Sequence, residues 1–121
     1  MKFVRKMTAA VVATLLALPA LADEVAAKAF FDRLAGAWQG AGEVNRMSAD
    51  MRMQWETVLG GQFRRLSMEN RMTGKSGESL RFEAQAYYRI AQDGSISGMW
   101  FDTRGYALPL SGRVDGDVLT V

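Results

Sequence analysis

The 121-residue chain contains no cysteine and no histidine, and only two prolines. These absences exclude thiol nucleophiles, serine-histidine triads and zinc sites built on His or Cys. With no disulfide available, a folded domain must be held by its core alone. An enzyme built on this chain would have to work with carboxylates, Tyr, Lys or Arg. Charge of one sign is also scarce, with 15 basic residues against 13 acidic ones.

What is present begins with three parts in order. Lys2, Arg5 and Lys6 open the chain, an apolar run follows from Met7 to Leu18, and Pro19-Ala20-Leu21-Ala22 stands ahead of Asp23. A cationic start, a short apolar middle and a small-x-small end make a secretory signal peptide. The run is shorter than the roughly 20 residues that a membrane span requires. Residues 1–22 are therefore expected to be a signal peptide cleaved after Ala22, which places the mature protein in the periplasm or outside the cell with no stable membrane span. Removing 22 of 121 residues leaves 99, enough for one domain from 23 to 121. Removing three of the 15 basic residues leaves 12 against 13 acidic, a net charge of −1. A nearly neutral domain has no field to hold polyanions, so no nucleic-acid partner is expected.

Asp23 can cap a short helix through Leu34, with Glu24 in its first turn and Gly36 where helices often end. Ala26, Phe30 and Leu34 would share its buried face. After Gly36 the pattern alternates to the end of the chain. Turn signals at Gly60-Gly61, Thr73 to Gly77, Asp93-Gly94, Arg104-Gly105 and Asp115-Gly116 separate about seven strand-like runs, a meander of hairpins.

A two-residue turn at Gly60-Gly61 sets Trp55 opposite Leu66, Met53 opposite Met68 and Met51 opposite Asn70 on one face. Glu56 then meets Arg65, and Arg52 meets Glu69, on the other. A one-residue slip would destroy both patterns. In the next strand Leu80, Phe82, Ala84, Ala86, Tyr88 and Ile90 face the core, while Arg81, Glu83, Gln85, Tyr87 and Arg89 face water. After Asp93-Gly94, a two-residue turn would carry Met99 and Phe101 inward. A three-residue turn ending at Gly94 would instead carry Ile96, Gly98, Trp100 and Asp102 inward, and is the preferred reading. Pro109 suits an edge or a bulge.

Antiparallel strands that are apolar on one side can hide that side by closing into a barrel. A closed ligand-holding barrel has about eight strands or more. The expectation is thus a mainly β, up-and-down antiparallel barrel that is incomplete and open, truncated at its C-terminal end, after a short helix.

The run Leu34 to Gly42, with its Gly36-x-Trp38-x-Gly40-x-Gly42 spacing, resembles the opening strand of calycin-like barrels and the start of nitrobindin-type haem-binding barrels. The segments Val58 to Phe63 and Trp100-Phe101-Asp102 resemble an uncharacterised family of bacterial lipocalin-like domains. The resemblance implies a calycin-like barrel whose indole at Trp38 plugs one end. In nitrobindin-type barrels a histidine holds the haem iron, and here there is none. The Tyr-Pro pair expected after the opening motif is replaced by Asn45-Arg46-Met47. No haem and no other cofactor are expected.

Met47, Met51, Met53, Met68 and Met72 could suit Cu(I), yet Met51 and Met53 continue the inward row that ends at Trp55, so adaptable core filler is the preferred reading and no metal site is assigned. Candidate ligand-binding residues in the interior are Trp38, Met53, Trp55, Arg64, Met68, Phe82, Tyr88, Trp100 and Asp102. The same residues would wall a pocket or fill a core. An Arg64–Asp102 pair inside the barrel would orient a ligand's polar end; alternatively, Arg64 sits at the rim and Asp102 begins a turn. Three functions follow, in order of support. The first is a binding module for a hydrophobic or amphipathic small molecule. The second is an interaction protein that self-associates or pairs through an open sheet edge. The third is an enzyme using Asp102 or Glu83 as acid/base and Tyr88 as donor, which lacks a paired-carboxylate signature.

Overall fold

The computed structural model describes residues 9–115 and 118–121, with side chains from residue 22 onward. Lys2, Arg5 and Lys6 of the expected signal peptide, and Gly116 of the last expected turn, lie outside the described residues. A helix, α1 (Ala9–Leu34), precedes seven strands: β1 (Gly36–Val44), β2 (Met47–Val58), β3 (Phe63–Thr73), β4 (Ser79–Ile90), β5 (Ser95–Asp102), β6 (Ala107–Asp115) and β7 (Val118–Thr120). Each strand pairs with the next in chain order, all antiparallel, in one sheet that curls into an open half-barrel.

The helix differs from expectation in two respects. It does not start at Asp23 but runs through that residue from Ala9, since the segment before it is mostly Ala and Leu, which favour helix strongly enough to carry Val11, Val12, Thr14 and Pro19. Its buried face is Ala27, Phe30 and Phe31, with Leu34 partly covered, while Ala26 is exposed. The spacing i, i+3, i+4, i+7 is the ordinary core stripe of a helix. Its C-terminus lies where the sequence puts it: the Ala35 N–H donates to the Phe31 carbonyl at 3.1 Å, and Gly36 takes φ +116°. Asp23 packs over the turn between β4 and β5. A Cβ on Gly94 would come within 2.5 Å of Asp23 Cβ, and Gly94 also has φ +82°, so that turn requires glycine for two reasons.

The strand registers agree with the alternation. Trp55 faces Leu66, Met53 faces Met68, Met51 faces Asn70, Glu56 faces Arg65 and Arg52 faces Glu69. The connection is four residues, Leu59 to Gln62, rather than two, in the same register. The three-residue turn before β5 is also present: Ala91 N–H donates to the Ser95 carbonyl at 2.8 Å, and Ile90 faces Ile96. Ile96 is therefore buried, Trp100 and Asp102 are partly covered, and Met99 and Phe101 face out. The β1–β2 turn at Asn45-Arg46, both residues at positive φ, was not among the expected turns; it carries no glycine to mark it. Pro109 is tolerated because β7 covers β6 only from Arg113 to Asp115, which leaves its other end an edge.

The core lies on the concave face at the helix end. Phe30, Phe31, Trp55, Leu66, Ala86, Tyr88 and Ile96 form it, with Met53, Met68, Ile90, Trp100 and Leu110 packed against it. Among the described residues no helix is long and apolar enough to cross a membrane.

Candidate functional site

Alternation carries the nine candidate residues to the concave side, but they do not converge on one enclosed space. Trp55 and Tyr88 are core residues, with ring centroids 5.5 Å apart. The helix sets Phe31 against both, 5.7 Å from each, so the three rings form a triangle. Met53, Met68 and Trp100 flank this cluster and are half-buried. Trp38 does not plug the barrel end. It stands on the edge strand, 48% exposed, and its indole N–H donates at 2.6 Å to the Leu34 carbonyl, satisfying an acceptor that the helix terminus leaves free.

Arg64 and Asp102 do not pair. Arg64 lies in the row of Tyr88 and Gly98, whereas Asp102 lies opposite Ala84, four residues further along β5, roughly 13 Å away along the strand. Asp102 has other partners. Its side chain is fully covered and accepts from Trp100 Nε1 at 2.8 Å, from Arg104 Nη2 at 2.6 Å and from the Arg104 backbone N–H at 2.8 Å. These donors, the Arg104 side chain foremost, hold the Asp102 carboxyl well below the usual carboxylate range. The Arg104 guanidinium also lies over the Tyr106 ring at 4.6 Å and the Phe82 ring at 5.5 Å, so Phe82 belongs to this second cluster, away from the helix.

Arg64 has weaker support. Its side chain is 12% exposed. It donates to the Gly61 carbonyl at 3.2 Å and approaches Asp32 of the helix at 3.6 Å, but Asp32 is itself 68% exposed, and the Arg64 Nε has no acceptor among the described residues. Arg64 and Tyr88 line a cleft of about 610 Å³ between the helix, the β2–β3 turn and the β4–β5 turn. Glu24 and Lys28 form the helix side, and Arg89, Ile90, Ala91 and Ser95 form the strand side. Burial pushes the Tyr88 phenol above its usual pKa. In this cleft two candidate residues, Arg64 and Tyr88, meet accessible space, and the Arg64 Nε there has no partner among the described residues. Its helix residues were not foreseeable from strand alternation, because they depend on where the helix docks.

A shallower trough of about 680 Å³ crosses β1 to β4, lined by Gln39, Gln54, Ser67, Glu69 and Gln85 together with Trp38, Met53 and Met68. The charges there are mutually paired: Glu69 accepts from Arg71 and Arg81, and Arg81 also bonds Glu83 at 2.6 Å. Arg52, expected to face Glu69, does so in register, yet its ion pair is with Asp50 at 3.8 Å. The Glu56–Arg65 pair forms as expected, at 2.8 Å. Asn70, which the register sets inward opposite Met51, is a buried polar residue on the concave face, and its Oδ1 has no partner among the described residues. Among the described residues no three His, Cys, Asp or Glu side chains gather to hold a metal ion. Comparison with protein-family models, curated proteins and solved structures finds no match.

Proposed function

We propose that this chain is an exported, calycin-like binding module that takes an amphipathic small molecule, with an anionic end at Arg64 and an apolar part along Tyr88, Ile90 and Ala91. The observation that carries this reading is the state of Arg64: a largely covered guanidinium, short of acceptors, lining a cleft of about 610 Å³. A covered cation gains most from a ligand carboxylate or phosphate, since charge-assisted bonds are strongest where water is excluded. The proposal moves the ligand from the barrel centre, where Phe31 stands, to the mouth between helix and sheet. Export follows from the pattern of residues 1–22, and the calycin-like assignment from the Gly36 to Gly42 opening together with the meander.

Dodecanoate and dodecanol test the reading, followed by tryptophan fluorescence, since Trp55 lies against Tyr88. Dodecanoate should bind more tightly than dodecanol, and Arg64→Met should erase the difference. Equal binding of the two, or no binding of either, would reject the assignment. Native mass spectrometry of protein released gently from its own envelope should show a retained anionic ligand.

A further inference from the structure

Five of the chain's eight methionines, Met47, Met51, Met53, Met68 and Met72, fall on the concave side of β2 and β3. Core filling accounts for two of them: Met53 and Met68 pack against the aromatic cluster, whereas Met47, Met51 and Met72 are half-buried outside it. The β2–β3 register gives four residues a closer relation. Met53 lies opposite Met68, Met51 lies opposite Asn70, and the two pairs are successive on the same face. Their Cβ atoms therefore mark a rectangle of about 5 Å across the strands by about 7 Å along them, which side chains of this length span. Asn70 brings a second, independent feature to its corner. It is 8% exposed, and its Oδ1 has no hydrogen-bond partner among the described residues. A buried carbonyl oxygen without a donor is costly, and a thioether has no proton to offer it. A cation over the rectangle would satisfy that oxygen and the three sulfurs together.

We propose that Met51, Met53, Met68 and Asn70 bind one soft monovalent metal ion, Cu(I), on the concave face of β2 and β3. The donor set selects the ion. Thioethers favour Cu(I) over the harder divalent ions, and the chain has no cysteine or histidine to compete for it. Among the described residues no three carboxylates gather to hold a harder ion instead. The three sulfurs carry the binding, and the Asn70 oxygen completes the site as a weak fourth ligand. The site is distinct from the Arg64 cleft, whose lining includes none of these four residues.

The full chain, kept reduced and free of oxygen, should take up one equivalent of Cu(I) from a chromogenic chelator such as bicinchoninate, and should take up no Zn(II). Met51→Leu and Met68→Leu keep the side-chain volume and remove the sulfur, so each should weaken Cu(I) binding at least about tenfold with the near-ultraviolet circular dichroism unchanged. Met99→Leu, on the outer face, should bind as the native chain does. Asn70→Leu separates a ligand from a structural amide. It should weaken Cu(I) binding while the urea midpoint of the metal-free chain stays equal or rises, because an acceptor without a donor has been removed. A native chain that cannot compete for Cu(I) overturns the proposal. So does binding that survives Met51→Leu, binding that Met99→Leu lowers as much as Met68→Leu, or Zn(II) held as tightly as Cu(I). A lower urea midpoint in Asn70→Leu, with Cu(I) affinity unchanged, would remove Asn70 from the site.

Discussion

The ring of Phe31 lies 5.7 Å from that of Trp55, and both side chains are almost fully covered. One is helical and the other is in the sheet, so this contact turns an apolar strand face into a core. Phe31→Ala should therefore cost about 3–5 kcal/mol, the usual range for a large aromatic deleted from a packed interior. Urea unfolding would measure it, and tryptophan emission should shift to the red as Trp55 meets water. Trp38→Ala, at a half-exposed edge, should cost distinctly less. Equal losses at the two sites would mean that the helix does not seal the concave face.

Tyr88 predicts a weakness on the alkaline side. Burial raises its pKa in the folded chain, so above about pH 10, where an unfolded tyrosine ionises, the unfolded state holds fewer protons than the folded one. Stability is complete below that pH and falls as pH rises through the folded value. The urea midpoint should decline above pH 10, and Tyr88→Phe should remove part of that decline. An unchanged slope in the variant would show that other groups set it.

Asp102 predicts the opposite limb. Arg104 and Trp100 depress its pKa, so its contribution is present above about pH 4 and is lost as pH falls toward the folded value. Asp102→Asn should lower the urea midpoint at pH 6 and flatten its acid dependence below pH 4. Glu69, depressed by Arg71 and then by Arg81, should add to the same limb, and Glu69→Gln measures that share separately. A native slope surviving Asp102→Asn unchanged would remove Asp102 from the account.

The sheet was legible because strand faces alternate with period two. A slip of one residue would have set Trp55 against Arg65 or Ser67 and broken the Arg52–Glu69 pairing, so charge and hydropathy constrained one register jointly. The β5 facing was legible for a similar reason, since a glycine at the third turn position fits the left-handed geometry observed at Gly94. The helix was harder. A shift of one position, Ala26 to Ala27, turns the face by about 100°, and the sequence offers apolar residues at both. Once Ala27, Phe30 and Phe31 face inward, the barrel centre is occupied and the accessible space moves to the cleft at Arg64. Of the two readings of Arg64 and Asp102, the pair does not form, because facing alone does not fix position along a strand. Only the registers of β3, β4 and β5 together place the two residues in different rows.

The helix leads to the last prediction. The helix residues that pack on the sheet include Ala27, Phe30, Phe31 and partly covered Leu34, all within 23–34. Cleavage after Ala22 would thus leave the described helix–sheet contacts intact. It would also place Asp23 and Glu24 in the first turn of the shortened helix, where negative side chains favour the helix dipole. The envelope form should begin at Asp23 on N-terminal sequencing, and a chain starting there should keep the near-ultraviolet circular dichroism that reports the Phe31, Trp55 and Tyr88 packing. Recovery of Met1 in a membrane fraction would contradict export. A chain from Asp23 that lost the aromatic signal would show that residues before the cleavage point are needed to hold the helix on the sheet.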